Sequence, residues 1–234
     1  MVEDELAIFP ATETVWRIGR RPEPWAWSGW EWATSGRFPG RWDDWNGNFR
    51  TVYAGSSLKA CLLELLASFR TDARLAAELD DIVEDGEDGV LYPTVPTGVV
   101  PRDWFDGRVA TTADLAGNYC AVTDSKTISA LYPHFIALAL SLGLHDFDAS
   151  ALKDAKPRQL TQSIASWLYE TTDVDGVTFR SRHGDDLQLW AVFERPEDPI
   201  VSPNLSHARM LDLHPEDPEV KEAFEILRLK IRDE

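Results

Sequence analysis

The chain is poor in the residues that would announce several large classes of function. Its 234 residues include two cysteines, two methionines and five histidines. Cys61 and Cys120 both lie in apolar surroundings and read as buried free thiols of a reducing compartment, not as a disulfide framework. The histidines at 134, 145, 183, 207 and 214 are far apart, with no HExxH pattern and no paired cysteines, so no metal site is expected. His183 reads as a turn residue. Long apolar runs are missing as well: none reaches the roughly 18 to 20 residues needed to span a bilayer. The start, MVEDELAIF, is acidic where a signal peptide would be basic. A soluble cytoplasmic protein without membrane contact is the expectation. Positive charge is scarce, 23 Lys+Arg against 40 Asp+Glu for a formal net charge of −17. Nucleic acid is disfavoured as a partner, because binding a duplex relies on Lys and Arg to neutralise phosphates. Nothing resembles a Rossmann fingerprint or a P-loop, and no repeat occurs at solenoid periods.

What is present suffices for one domain with a sizeable core, at 44% hydrophobic and 27% charged residues. TVWRIG (14–19) and FRTVYAG (49–55) read as strands, the second with Thr51, Tyr53 and Gly55 on one face and Val52 and Ala54 on the other. SSLKACLLELLASF (56–69) reads as a helix capped by Ser56 or Ser57, with Leu58, Leu62, Leu65 and Phe69 as its stripe. The run 77–101 is acidic and rich in Gly and Pro, and reads as a surface excursion inserted in the domain. YCAVTD (119–124) reads as a buried strand, and Asp124 as the N-cap of a helix from Ser125. Pro157 begins a helix to about residue 170. DGVTFRSRHGDDLQLWAVFE then reads as two strands around a turn at Gly184-Asp185-Asp186, and Glu216–Asp233 as an amphipathic helix. Strands and helices without regular βαβ alternation favour an α+β fold.

Against the acidic background, the stretch from Thr14 to Arg50 stands out. It holds six arginines (17, 20, 21, 37, 41 and 50) against four acids, and seven of the ten tryptophans. A Trp-rich core under solvated arginines would explain this, helped by cation–π stacking. A concave site for a small anion bearing flat rings would explain it equally, since Arg forks suit phosphates and aromatic walls suit bases. Three polar positions deserve notice for where periodicity places them. Glu64 interrupts CLLELLA beside the apolar stripe; Ser181 ends the strand Val177-Phe179-Ser181 on its apolar parity, with Arg180 and Arg182 facing the other way; Tyr53 lies just ahead of the turn into Glu64's helix. Taken singly, each has an ordinary structural explanation: an exposed helical glutamate, a strand-end serine, a core tyrosine with a wet hydroxyl.

The string GRWDDWNGNFRTVYAGSSLKACLLELLA resembles the first half of the RES domain, and DGVTFRSRHGDDLQLWAVFE its closing pattern, with TGVVPRDWFDGRVATTADLAG similar to the connecting segment of longer members. The resemblance runs from about Val15 to Glu194 within a domain set at 14–195, leaving 196–234 as an extension whose helix packs on the domain. It implies a fold similar to ADP-ribosyltransferases, mixed or antiparallel sheets with flanking helices. It also implies an enzyme that degrades NAD, often the toxin of a toxin–antitoxin pair. Residue by residue, it makes Arg41 the motif arginine, Tyr53 the tyrosine, Glu64 the glutamate and Ser181 the serine. Arg37, in the near-copy Gly36-Arg37-Phe38, is the rival of Arg41, and Ser125 a weaker rival of Ser181. Catalysis falls to Glu64, Arg41 and Ser181, and substrate contact to Arg41, Tyr53, Arg37 and Arg17. NAD is the substrate, with inorganic phosphate an alternative to water as nucleophile and no bound cofactor. An antitoxin would cover the cleft between Arg41 and Glu64, and homo-oligomerisation is left open. Two other readings stand beside this one. Trp-rich walls and many carboxylates also fit a carbohydrate-binding module or glycoside hydrolase, and an inactive interaction protein would keep the fold without the chemistry.

Overall fold

A computed structural model describes residues 2–70, 98–154 and 156–232. In chain order its strands are β1 (Ile8–Pro10), β2 (Thr14–Arg20), β3 (Thr51–Gly55), β4 (Val99–Val100), β5 (Arg108–Leu115), β6 (Asn118–Ala121), β7 (Gly176–Ser181), β8 (Gly184–Phe193), β9 (Leu205–Asp212) and β10 (Lys230–Ile231). Its helices are α1 (Leu58–Leu66), α2 (Ser125–Ser141), α3 (Ala149–Lys153), α4 (Arg158–Thr171) and α5 (Pro218–Leu227). Eight strands form one mixed sheet in the order β1-β6-β7-β8-β3-β2-β5-β9, and β10 pairs with β4 in a separate two-stranded ribbon. Every pair in the large sheet is antiparallel except β6 with β7. This is the expected α+β domain.

The alternation of side chains along the strands sorts the sheet into two faces. One carries Cys120, Val177, Phe179, Leu189, Ala191 and Phe193 and is covered by the helices. The other carries Val15, Val52, Ala54, Ala113, Trp190 and Val192 and is covered by Trp25 and Trp27. Both indoles are tied down by their N–H groups, Trp25 Nε1 donating to Thr111 Oγ1 at 2.9 Å and Trp27 Nε1 to the Pro199 carbonyl at 2.9 Å. The tryptophan cluster is therefore divided between core and surface: Trp25, Trp27 and Trp42 are buried, whereas Trp30 and Trp32 are exposed.

Several boundaries differ from the sequence reading. Helix α1 is capped by Ser57, whose hydroxyl accepts from the Ala60 N–H at 3.1 Å. Its buried residues are Leu58, Ala60, Cys61, Leu62, Leu63 and Leu66, while Leu65 is exposed. The expected stripe is off because this helix packs on two neighbours, the sheet on one side and α5 on the other, with Lys59 bridging to Glu222 at 3.3 Å. The β7–β8 hairpin turns at Arg182-His183, not at Gly184-Asp185-Asp186, with a register shift between Arg180 and Ser181. The C-terminal helix stops at Leu227, because Arg228 takes a left-handed conformation (φ 56°) that sends the chain into β10. Strand β9 belongs to the main sheet although it falls in the segment read as an extension. The expected helix start at Ser125 is present, with Asp124 as its cap. Most of the acidic excursion, 77–97, lies outside the described residues. Among those described, no helix is long and apolar enough to cross a membrane, and both cysteines are free and buried.

Candidate functional site

The site begins at the seam of the sheet. Strands β2 and β3 are joined by a single register pair, Trp16 opposite Gly55. Across that seam, Arg17 donates from Nη1 to the Tyr53 carbonyl (2.9 Å) and from Nε to the Pro24 carbonyl (2.8 Å). Helix α1 starts immediately after β3 and is held close. The Cys61 thiol donates to the Trp16 carbonyl at 3.1 Å, and a Cβ added at Gly55 would lie 3.1 Å from both Ala60 Cβ and Cys61 Sγ. Burial pushes the Cys61 thiol up to about 12, so it is a packing group and not a nucleophile at neutral pH.

Glu64, one turn beyond Cys61 and half-buried, reaches a residue 117 positions away: the Ser181 hydroxyl donates to Glu64 Oε1 at 2.5 Å. Ser181 is 1% exposed. Its Oγ in turn accepts from the His183 main-chain N–H at 2.9 Å. The local reason is the tight turn at Arg182-His183, which pairs Ser181 with Gly184 and lets the serine oxygen cap the hairpin as well as meet Glu64. A hydroxyl donating to one carboxylate oxygen fixes the carboxylate's rotamer.

Arg41 comes to the same place from the loop before β3. Its guanidinium carbon lies 5.8 Å from the centroid of the Phe179 ring, two residues before Ser181 on the same strand face. Its neighbour Trp42, fully buried, packs on Phe179 with ring centroids 5.5 Å apart. Burial lowers the proton affinity of Arg41 from its ordinary value; Glu64 raises it, while Arg182 and Arg158 lower it, so these charges share one neighbourhood. Arg41 Nη1 is buried with no hydrogen-bond partner among the described residues. A buried guanidinium donor facing a carboxylate, with no acceptor of its own, is what a site awaiting an anion would present.

The loop that carries Arg41 is anchored by the paired aspartates. Asp43 accepts from the Tyr53 hydroxyl at 2.9 Å and from the Gly40 N–H; Asp44 accepts from the Ser166 hydroxyl on α4 and the Asn48 N–H. Tyr53 also accepts from the Trp42 N–H at 2.9 Å. The near-duplicate tripeptides now separate. A side chain at Gly40 would collide with the Tyr53 hydroxyl and Asp43, whereas Gly36 faces open space. Arg37 is exposed, with its guanidinium over the Trp45 ring, 4.4 Å from the centroid.

Of the sequence-predicted residues, Arg41, Glu64 and Ser181 converge. Tyr53 sits beside them, with its hydroxyl engaged by the loop. Arg17 and Arg37 have other partners and no hydrogen bond to Glu64 or Ser181. Ser125 opens α2, and its neighbour Asp124 supplies that helix's cap. Three groups were missed. Arg182, read as facing away from Ser181, is exposed in the turn, and its charge still bears on Arg41 and His183; Arg70 and His183 complete the charged neighbourhood of Glu64. A strand parity count does not extend into a turn, although Arg182-His183 directly after Ser181 is a usable signal. A groove of about 670 Å³ lies elsewhere, on the opposite face of the sheet, lined by Phe9, Tyr119, Thr178, Arg180, Gln188 and Trp190.

No curated protein and no solved structure matches this chain. A family model does: that of the RES domain matches residues 14–214, taking in β2 through β9 and with them Arg41, Glu64 and Ser181. With most of its length so matched, the chain belongs to the RES domain family.

Proposed function

We propose that this protein cleaves the bond between nicotinamide and ribose in NAD, by hydrolysis or phosphorolysis. The family is consistent with an enzyme acting on NAD. The observation that carries the reading is the Ser181–Glu64 hydrogen bond at 2.5 Å with the unpartnered Nη1 of Arg41 in the same neighbourhood. Nicotinamide in NAD is a pyridinium. When the C1′–N bond breaks, its electron pair goes to the ring nitrogen and neutral nicotinamide leaves, so no general acid is needed. What remains at C1′ is an oxocarbenium-like centre. The Glu64 carboxylate, held by Ser181, stabilises that positive charge through a fixed electrostatic interaction. Arg41 pairs with the pyrophosphate, and Tyr53 borders the nicotinamide end. Oxygen from water or from inorganic phosphate then bonds to C1′, giving ADP-ribose or its 1-phosphate, and water's proton passes to a base such as Glu64.

The biological setting that fits is the toxin of a toxin–antitoxin pair, with an antitoxin covering the cleft between Arg41 and Glu64. The test is direct. Purified protein mixed with NAD, with and without phosphate, should release nicotinamide; a phosphate requirement identifies phosphorolysis. Well-folded protein that releases none in either buffer overturns the proposal.

A further inference from the structure

His183 sits in a two-residue hairpin turn, where almost any polar residue would serve, yet it is half-buried and within reach of the Glu64 charge. Its ring Nε2 accepts from Arg182 Nε at 3.4 Å, which requires the ring's own proton to be on Nδ1. Its main-chain N–H holds Ser181 Oγ, the atom that holds Glu64. Around the ring are Glu64 from α1, Arg70 from the segment after it, Arg41 from the loop before β3, and Arg182 beside it on the hairpin. Burial is the largest influence and holds the imidazole below the ordinary histidine value. Glu64 opposes burial, and the three guanidinium groups reinforce it. The neutral ring is the state that can accept from Arg182.

We propose that His183 is a positioning residue of this site, its ring Nε2 holding the Arg182 guanidinium at the rim so that an anionic part of the substrate meets a donor already oriented. The inference rests on the NAD reading for its substrate. Preorganisation is the physical reason for such a residue. An arginine on a free hairpin tip loses side-chain freedom each time it grips a phosphate, and a fixed Nε removes part of that cost. Two consequences follow from protonation. The imidazolium no longer accepts from Arg182, and it places a further positive charge beside the Glu64 carboxylate. Substrate binding and turnover should both weaken as pH falls through the ring's midpoint, which lies below 6.5.

The experiment measures steady-state nicotinamide release between pH 5 and 8 for wild type, His183→Leu and His183→Gln. Both variants keep the main-chain N–H that caps Ser181. His183→Leu has no acceptor, and its KM for NAD at pH 7.5 should rise about three- to tenfold, the loss of one ordinary hydrogen bond, with kcat changed much less. His183→Gln restores an acceptor that cannot ionise, so it should rescue KM and lack the histidine's acid limb. Wild-type KM in His183→Leu, or an unaltered acid limb in His183→Gln, overturns the proposal. A second readout needs no activity: NMR titration of the His183 ring in wild type and Arg182→Gln. Removing the neighbouring cation should raise the ring's midpoint, and an unmoved midpoint overturns the proposed contact. Wild type that releases no nicotinamide while this NMR shift occurs defeats the NAD reading but not the Arg182–His183 pairing.

Discussion

Among the described residues, hydroxyl–carboxylate pairs away from the exposed surface occur in two regions, and they differ in what is left over. In the loop before β3, Asp43 and Asp44 are 4% and 2% exposed, and each carboxylate oxygen receives a donor: Tyr53 and Gly40 for the first, Ser166 and Asn48 for the second. At the sheet seam, Glu64 is half-buried and receives one donor among the described residues, Ser181 on Oε1. A saturated buried carboxylate fixes a loop and has no capacity for a ligand. A carboxylate held on one oxygen and open on the other is oriented and still available. The same contrast divides the arginines, since Arg17 and Arg50 have their donors engaged by carbonyls and Glu194, whereas Arg41 keeps a buried donor free. Satisfaction, more than charge or burial, separates the groups that hold the scaffold from those left open to a ligand.

The largest test of that division is Glu64→Gln. The change keeps size and hydrogen-bonding reach, so circular dichroism and thermal unfolding should match wild type, while nicotinamide release falls at least about a hundredfold, the scale of losing one electrostatic stabiliser. Near wild-type turnover would assign Glu64 to the scaffold. Next in size is the pair Arg41→Ala and Arg37→Ala. The first removes a charge-assisted contact of about 1.5–3 kcal/mol and should weaken NAD binding more than about tenfold by calorimetry. The second removes an exposed cation over Trp45 and should change affinity less than about threefold. Equal losses would erase the distinction between the two tripeptides.

Much of this site was legible because its parts are local patterns. A cap at Ser56 or Ser57, the alternation that sets Tyr53 opposite Val52 and Ala54, and the helix start after Asp124 are written in neighbouring residues; all appear in the structure, with Ser57 as the cap. Other parts depend on partners distant in sequence. Strand β9, exposed everywhere except Leu205, lacks the alternation that signals a strand and exists because β5 pairs with it. Strand β5 has a run of three buried positions, Val109 to Thr111, which hides a period of two. Around the site, the parity that places Ser181 ends with the strand: Arg182 is exposed in the turn, and its influence on the site is one of charge that a period of two does not report. Saturation of Asp43 and Asp44 could not be read at all, because Ser166 comes from a helix 122 residues away.

Asp44→Ala tests the scaffold half of the comparison. It leaves the Asn48 N–H without its acceptor and removes the Ser166 contact that ties the loop to α4, at a cost of about 1–3 kcal/mol. For a domain of this size each kcal/mol lowers Tm by about 2–4 °C, so a fall of roughly 3–10 °C is expected by calorimetry. The loss of turnover below the new Tm should be far smaller than for Glu64→Gln. An Asp44→Ala protein of unchanged Tm would show that saturation does not identify a structural carboxylate here.

The smallest effect, and the most diagnostic of what Asp43 does, is expected from Tyr53→Phe. The ring stays, so packing and any contact with nicotinamide survive. What goes is the hydroxyl that donates to Asp43 and accepts from the Trp42 N–H, worth about 1 kcal/mol. Burial raises the Asp43 carboxyl above its ordinary 3.8, with the Tyr53 hydrogen bond the strongest of the influences holding it down. Deleting that hydroxyl therefore raises Asp43 further and makes its ionised form costlier. A carboxyl whose folded value exceeds its unfolded one binds protons more tightly when folded, so its penalty is full above the folded value and is relieved as pH falls toward 3.8. The Tm difference between wild type and Tyr53→Phe should accordingly be widest at pH 7.5 and narrow on acidification, measured in paired calorimetric scans down to about pH 4. A gap that widens instead would mean that the tyrosine favours the protonated carboxyl, accepting from it rather than donating to it.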